Sequence, residues 1–195
     1  MDEIRATKEE IRYDIAKRLA ILADSAVEAK ARQIENRLFN FANFLEANIV
    51  LLYINSANEV ISRNIIARCF DYNKIVVLPA FDSHTYEMKL MKVDNLETDL
   101  KLGPRGIFEP DEMRCNVVPI ECIDIAIIPG TAFDEKGGRI GSGEGYYDRL
   151  IPKLSITTRK VALAFENQIT QQIQMESHDK HVDIIITEKR IIYKI

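Results

Sequence analysis

Residues 49–54 read IVLLYI, an apolar run that is rich in strand-forming residues and too short for a helix. Similar runs recur at residues 74–78, 124–128, 161–165 and 183–187. Uninterrupted apolar runs of this length are typical of strands buried on both faces, as in a parallel sheet covered by helices. Helical patterns fall between several of the runs, at residues 59–70, 146–154 and 169–175. This alternation predicts an α/β fold with an open sheet.

The remaining segments complete this prediction. Thr7 and Glu10 have the spacing of a capping box, and the apolar residues after them recur at helical spacing, so a helix is expected to begin there. A second helix is expected over residues 25–45. Residues 85–93 alternate apolar and charged side chains, which favours an antiparallel edge strand or hairpin with one wet face. No repeat or linker divides the chain, so one domain is expected over residues 1–195.

Composition excludes several classes of function. The chain has 195 residues, 47% of them hydrophobic, and a net charge of −4. A nucleic-acid-binding or anionic-membrane-binding protein usually carries a basic excess, so neither partner is expected. No apolar run approaches the roughly 20 residues that cross a bilayer, and the first residues do not resemble a signal peptide. The three cysteines lack a CxxC spacing and indicate a reducing compartment. A cytoplasmic location is predicted.

The segment richest in chemical signals is residues 128–149, IPGTAFDEKGGRIGSGEGYYDR. Gly141, Gly143 and Gly145 alternate just before a helical pattern. Glycine lets backbone N–H groups approach a phosphate closely, and the guanidinium of Arg139 suits phosphate oxygens. No Gly-Lys-Ser/Thr follows, and the glycines lie too far beyond the preceding strand for the dinucleotide fingerprint. On its own, the segment is either a phosphate-binding loop or a plain flexible loop.

Three parts of this segment, PGTAFD (129–134), GRIG (138–141) and GEGYYDR (143–149), closely resemble the signature of the 5-formyltetrahydrofolate cyclo-ligases, also called methenyltetrahydrofolate synthetases. The likeness continues in family order at residues 8–12, 55–62, 164–168, 178–179 and 182–183. The resemblance implies a three-layer α/β/α fold with an open, mostly parallel sheet. It also implies closure of 5-formyltetrahydrofolate to 5,10-methenyltetrahydrofolate with ATP and Mg²⁺, releasing ADP and phosphate. A monomer or weak dimer is expected.

The reaction explains which groups the site needs. In the family, ATP phosphorylates the formyl oxygen, N10 of the folate attacks the activated carbon, and phosphate leaves. No protein nucleophile is required, and the chain contains no convincing nucleophilic triad. Phosphoryl transfer depends mainly on positioning and on neutralising charge. Cations, backbone donors, metal-binding carboxylates and a folate pocket are therefore expected.

The resemblance assigns roles to particular residues. ATP contacts fall on Lys8, Arg12, Arg139, Gly141, Ser142, Gly143, Glu144, Gly145, Tyr146 and Tyr147. Folate contacts fall on Ile54, Glu59, Ser142, Gly143, Glu144, Gly145 and Tyr146. The catalytic residues would be Arg139, Tyr146 and Asp148, and the Mg²⁺ ligands Asp148 and Asp179.

Each assignment competes with a structural explanation. Lys8 and Arg12 share a helix face that could be solvated, and Glu59 could cap the next helix through Ser56. Asp148 could be a first-turn helix acid, Asp179 a loop acid, and Tyr146 a core residue. Glu144 departs from the family, which usually has glycine or a small or basic residue there, and its side chain is expected to point outward, to water or folate. His178 and His181 are expected in a solvated loop, since no third nitrogen or sulfur ligand lies nearby in sequence.

Two other functions compete with the cyclo-ligase. One is a folate-binding protein without turnover, which should have lost the metal acid or the phosphate cations. The other is a different ATP-dependent enzyme on the same fold, which would need its own acid or base at the strand ends.

Overall fold

The computed structural model describes residues 2–194, with side chains described from Thr7 to Lys194. The α-helices of this part of the chain are α1 (Asp2–Ala20), α2 (Asp24–Leu38), α3 (Ala42–Glu46), α4 (Arg63–Asp71) and α5 (Tyr146–Leu150). Short 3-10 turns occur at Ile120–Cys122, Ile151–Lys153 and Glu166–Gln168. None of the described helices combines the length and apolar character needed to traverse a bilayer.

The strands are β1 (Ile49–Leu51), β2 (Ile75–Asp82), β3 (Glu87–Val93), β4 (Leu100–Leu102), β5 (Phe108–Pro110), β6 (Ile125–Ile127), β7 (Ala132–Asp134), β8 (Arg139–Ile140), β9 (Arg159–Leu163), β10 (Ile169–Thr170), β11 (Ile184–Ile186) and β12 (Ile191–Tyr193). Each of the five apolar runs, residues 49–54 included, contributes a strand to one seven-stranded sheet of order β12-β11-β9-β6-β1-β2-β3. The inner neighbours pair in parallel, whereas β3 and β12 are antiparallel edges. The mostly parallel sheet and the antiparallel edge at β3 are thus confirmed.

Helices cover both faces of the sheet. On one face, Val50, Val76 and Ile125 pack in a cluster with Ile34 of α2, Phe44 of α3 and Ile66 of α4. On the other face, the next residues along the same strands, such as Leu51 and Val77, pack in a cluster with Leu150 of α5 and with Leu154, just after the turn that follows it. The three-layer α/β/α arrangement follows from this double coverage, because each central strand is apolar on both sides.

A separate three-stranded sheet, of order β10-β7-β8, contacts α1 through β7. Ala132 and Ile140 of this sheet form a separate apolar cluster with Ile15 of α1 and with Ile173. The N-terminal helix is thereby fixed beside the segment that contains the glycines.

The strand order reverses between β1 and β6. From β1 the chain proceeds outward to β2 and β3 on one side, and β6, β9 and β11 build the other side. Ligands of open α/β sheets bind at the carboxyl ends of the strands where the order reverses. The segments that follow β1 and β6 begin at Leu52 and Ile128, so the topology places a crevice between them.

Four predicted elements differ from the structure. The helix expected over residues 59–70 begins only at Arg63. Helix α1 begins at Asp2, so Thr7 and Glu10 lie inside it; good helix formers precede them and extend the helix backward. The expected helix over residues 25–45 is two helices, broken at residues 39–41. Residues 169–175 begin as β10, which pairs with β7, and not as a helix; pairing with another strand overrides a local helical pattern.

Candidate functional site

A cleft of about 470 Å³ opens at this crevice, between the carboxyl ends of the central strands, α1 and the loop before α5. Of the predicted site residues, those that line it are Lys8, Arg12, Ile54, Glu59, Arg139, Gly141, Ser142, Gly143, Gly145, Tyr146, Tyr147, Asp148 and Asp179. Glu144 is the predicted residue that does not line it. The structure therefore brings together residues that span most of the chain, while their individual roles stay predictions.

The loop of residues 141–145, here called the glycine loop, leads directly into α5. Gly143 and Gly145 have φ values of 110° and 72°, a left-handed region that favours glycine. Arg12 donates a hydrogen bond from Nε to the Gly141 carbonyl (2.9 Å), which joins α1 to the loop. The backbone conformation thus explains two of the three alternating glycines, Gly143 and Gly145.

Lys8 lies deep in the cleft between two acids. Its Nζ donates to Glu176 Oε2 (2.9 Å) and to Asp179 Oδ2 (2.5 Å). Burial lowers the pKa of the Lys8 ammonium, but the two hydrogen-bonded carboxylates outweigh burial and hold that pKa above its usual value. Burial likewise raises the pKa of Asp179, but its bonds to Lys8 and to the Glu176 N–H outweigh it and leave the pKa lowered. All these groups are therefore charged at neutral pH.

Arg139 and Asp148 form a second charge pair in the cleft. Arg139 is 4% exposed, and its Nη2 donates to Asp148 Oδ1 (2.8 Å) while Nη1 donates to the Pro129 carbonyl (3.1 Å). Asp148 Oδ1 also accepts from the Lys180 backbone N–H (3.0 Å). Asp148 thus does more than occupy the first turn of a helix, since it joins α5 and β8 to the C-terminal segment.

The C-terminal segment supplies a cluster of possible metal ligands. One ligand atom each from Glu176, His178 and Asp179 lies within 4.8 Å of the others. The His178 side chain is 68% exposed, in agreement with a solvated loop, but its Nε2 lies 3.6 Å from Asp179 Oδ1. Carboxylates are the ligands that Mg²⁺ prefers, since it takes one or two acids together with phosphate oxygens and waters. Asp179 belongs to this cluster, whereas Asp148 is not part of it.

The opposite end of the cleft is apolar and aromatic. Ile54 and Phe81 line it, and Phe81 packs edge-on against Tyr146, with ring centroids 4.9 Å apart. The Tyr147 hydroxyl is buried and has no hydrogen-bond partner within the described part of the chain. Burial is the main cause that raises its pKa, so the hydroxyl remains a donor at neutral pH.

Glu59 lines the cleft and does not begin the next helix. Its carboxylate accepts a hydrogen bond from the Ser56 N–H (2.8 Å), as in a capping box, yet α4 begins only at Arg63. Residues 55–62 form a loop instead, and Glu59 lines the cleft. Burial raises the pKa of Glu59, although the hydrogen bond from Ser56 opposes the rise.

Gln168 is a positioning residue that pattern reasoning did not select. It is fully buried, and its Nε2 donates to the carbonyls of Asn58 (2.9 Å) and Thr131 (3.0 Å). Its Oε1 accepts from the Phe165 N–H (2.8 Å). One amide therefore holds the Glu59 loop against the segment that leads to the glycines. The only sequence signal was its position within the AFENQ likeness at residues 164–168.

Glu144 does not line the cleft, and its side chain contacts a residue that was not predicted. Its carboxylate pairs with Arg105, from the loop between β4 and β5. Arg105, Phe81, Tyr53 and Glu176 line the cleft without having been predicted. No local pattern marks them, because distant segments bring them to the site.

Comparisons with known proteins agree with this geometry. The Schizosaccharomyces pombe protein named "Probable 5-formyltetrahydrofolate cyclo-ligase" is 30% identical over 202 residues, which cover 96% of this chain and 98% of that protein. The Mus musculus 5-formyltetrahydrofolate cyclo-ligase is 25% identical over 194 residues, 95% of each chain. Both relatives are similar along nearly their whole length.

Solved structures agree as well. The NMR structure of Aquifex aeolicus 5,10-methenyltetrahydrofolate synthetase has a TM-score of 0.84 at 29% identity, covering 96% of this chain and 92% of that one. A 5,10-methenyltetrahydrofolate synthetase from Mycoplasma pneumoniae, 21% identical, shares the fold with a TM-score of 0.73 over 93% and 98% of the two chains. The sequence profile of one family matches residues 4–188, and on this match the chain is an enzyme that belongs to the 5-formyltetrahydrofolate cyclo-ligase family.

Proposed function

We propose that the protein uses ATP and Mg²⁺ to cyclise 5-formyltetrahydrofolate to 5,10-methenyltetrahydrofolate, with release of ADP and phosphate. The observation that supports this most is the composition of one cleft. Its nucleotide half holds the glycine loop, Lys8, Arg12 and Arg139, and its folate half holds Ile54, Glu59 and aromatic rings. A triphosphate and a pterin can therefore meet within one cavity.

The reaction proceeds in two bond exchanges. The formyl oxygen of the folate attacks the γ-phosphorus of ATP, the bond to the β,γ-bridging oxygen breaks, and ADP leaves. N10 then attacks the activated formyl carbon, loses its proton, and the C–O bond to phosphate breaks. The product carries the bridging methenyl carbon. Atoms balance with one ADP and one phosphate per product.

The residues of the chain contribute charge and orientation. Arg139 lies buried beside the glycine loop, where its guanidinium offsets charge that develops on the transferred phosphoryl group. Lys8 and Arg12 place further positive charge at the same half of the cleft. Tyr146 packs against the folate half, and the Glu59 carboxylate accepts hydrogen bonds from the pterin.

Asp148 and Asp179 would hold Mg²⁺, which would offset the negative charge of the phosphates. Lys8, held by Glu176 and Asp179, would place its ammonium beside the phosphates. We expect the enzyme to act in the cytoplasm as a monomer or weak dimer.

The test is a reconstituted reaction of protein, Mg²⁺, ATP and 5-formyltetrahydrofolate. We expect the absorbance of methenyltetrahydrofolate to rise, with one ADP and one phosphate formed per product. AMP formation, or product without ATP, would contradict the mechanism. A folate-binding protein without turnover would bind 5-formyltetrahydrofolate in calorimetry but would consume no ATP when it is added.

A further inference from the structure

The glycine loop carries one acid, and that acid belongs to a contact between two loops. Glu144 Oε1 lies 3.3 Å from Arg105 Nε, and its Oε2 accepts from Arg105 Nη2. The pair is therefore bidentate. A fork-to-fork contact of this kind is stronger and more directional than an ordinary surface ion pair. The side chains of Arg105 and Glu144 are 19% and 40% exposed, so the contact lies at the mouth of the cleft.

The Arg105 guanidinium also covers the aromatic pair of the folate half. Its central carbon lies 4.3 Å from the Phe81 ring centroid and 5.0 Å from that of Tyr146. The loop that carries Arg105 is a tight turn, in which the Gly106 N–H donates to the Gly103 carbonyl (3.0 Å). Arg105 thus reaches the cleft from a defined backbone position.

We propose that Arg105 is a specificity-determining residue of the folate half and that Glu144 is the positioning residue that holds it there. The flat guanidinium, which lies 4.3 and 5.0 Å from the ring centroids of Phe81 and Tyr146, presents a planar cation against which a planar ring of the substrate packs. The proposal rests on the proposed function of the cleft and assigns Glu144 to folate binding, although it lies in the phosphate-binding loop.

Charge explains why the chain places an acid in this loop. Arg105 lies at the boundary between the two halves of the cleft, since it contacts Tyr146 on one side and the glycine loop on the other. An unpaired guanidinium at this position would be attracted by the triphosphate and would leave the aromatic rings. The Glu144 carboxylate neutralises Arg105 and fixes its plane, so Arg105 stays with the folate half.

The test measures the dissociation constants of ATP and of 5-formyltetrahydrofolate separately by calorimetry, without turnover. For Glu144→Gln we expect folate binding to weaken by roughly three- to tenfold and ATP binding to stay unchanged or to strengthen slightly. Arg105→Gln should weaken folate binding at least as much. The double variant should be no weaker than Arg105→Gln, because Glu144 acts through Arg105. Additive losses, or a loss confined to ATP, would overturn the proposal.

Limited proteolysis tests the loop contact independently of any ligand. Trypsin cleaves after Arg105, and mass spectrometry can follow that one site. We expect faster cleavage there in Glu144→Gln than in the wild type. Glu97→Gln is the matched control, because it breaks a more exposed Arg–Glu pair, with Arg63, away from the cleft. It should leave cleavage after Arg105 and both affinities unchanged.

The two readouts separate the two hypotheses. If the protein does not cyclise folate, cleavage after Arg105 still responds to Glu144→Gln. If Arg105 becomes no more accessible in Glu144→Gln, the positioning role is wrong even when cyclisation is observed. Arg105→Lys gives a final check, because a lysine keeps the charge but can neither stack as a plane nor bind both carboxylate oxygens. It should bind folate as weakly as Arg105→Gln, and wild-type affinity would contradict the proposal.

Discussion

Asp148 and Arg139 have side chains that are 18% and 3% exposed, and both residues line the cleft. A carboxylate in that setting is bound by fixed donors before any ligand arrives. At the scale of single residues, the sequence offered two explanations for Asp148, a first-turn helix acid or a metal ligand. Asp148 lies in the first turn of α5 and also lines the cleft.

Asp148→Asn should lower kcat by about 100-fold or more, since removal of one group that stabilises transition-state charge has an effect of this size. The amide can still accept the Lys180 N–H, so the fold should persist. Initial rates at increasing Mg²⁺ measure the effect, and folate affinity should change much less. Near-normal kcat at saturating Mg²⁺ would show that Asp148 only begins the helix.

Asp124→Asn is the matched control for this variant. Asp124 also accepts backbone hydrogen bonds through one oxygen, from the N–H groups of Asn48 and Ile49. It lies at the amino ends of β1 and β6 and does not line the cleft. Its substitution should leave kcat unchanged. A comparable loss in both variants would indicate a general effect on folding.

At the scale of elements, the glycine loop depends on one backbone conformation. Gly145 precedes α5 with φ 72° and ψ 12°, in the left-handed region. A residue with a branched side chain costs about 1–2 kcal/mol or more there. The loop and the first turn of α5 therefore require glycine at this position for a reason independent of any ligand.

Gly145→Val should abolish measurable ATP binding and lower the melting temperature. Gly145→Asn is the matched control, because asparagine tolerates the left-handed region. We expect Asn to keep ATP affinity within about tenfold of the wild type, as judged by calorimetry. If Val bound ATP as tightly as the wild type does, the loop conformation would not contribute to nucleotide binding.

At the scale of the whole molecule, ionic contacts outside the cleft join segments that are distant in sequence. Glu188 follows β11, is 7% exposed, and pairs with Lys30 of α2. It also accepts from the Glu166 N–H (2.8 Å). Burial raises the pKa of Glu188, but the bond from Lys30 and the backbone N–H groups outweigh it and leave the pKa below its ordinary value of 4.5.

A carboxyl whose pKa is lower in the folded state stabilises the protein above its unfolded pKa, and that stability is lost as pH falls through the folded pKa. Glu188→Gln should therefore lower the free energy of unfolding by about 1–2 kcal/mol at pH 7. The difference should shrink below pH 4.5. Denaturant titrations at pH 7 and at pH 3.5 measure both effects.

Glu87→Gln is the control for Glu188→Gln, since Glu87 pairs with Lys153 in a contact where both side chains are more than half exposed. Solvent screens such a pair, so little change is expected at either pH. A Glu188→Gln effect that stayed constant from pH 7 to pH 3.5 would mean that lost packing, and not charge, accounts for it.

Local sequence patterns determined six of the seven strands of the main sheet and the type of fold. Each apolar run became a strand of the main sheet because uninterrupted burial on both faces is encoded in consecutive residues. The glycine loop was equally visible, since the left-handed conformation of Gly143 and Gly145 is a property of those residues themselves. The family resemblance supplied the candidate ligands around it, and nearly all of them line one cleft.

The tertiary structure decided what each of these residues contacts. Residues 169–175 begin as a strand because they pair with β7, although their local pattern is helical. Lys8 pairs with acids that lie more than 160 positions away in the sequence. Arg105 became the partner of Glu144 only because the turn between β4 and β5 packs beside the glycine loop. Periodicity and propensity act over a few neighbouring residues, whereas ion pairs and a cleft form between segments that only the completed fold brings together.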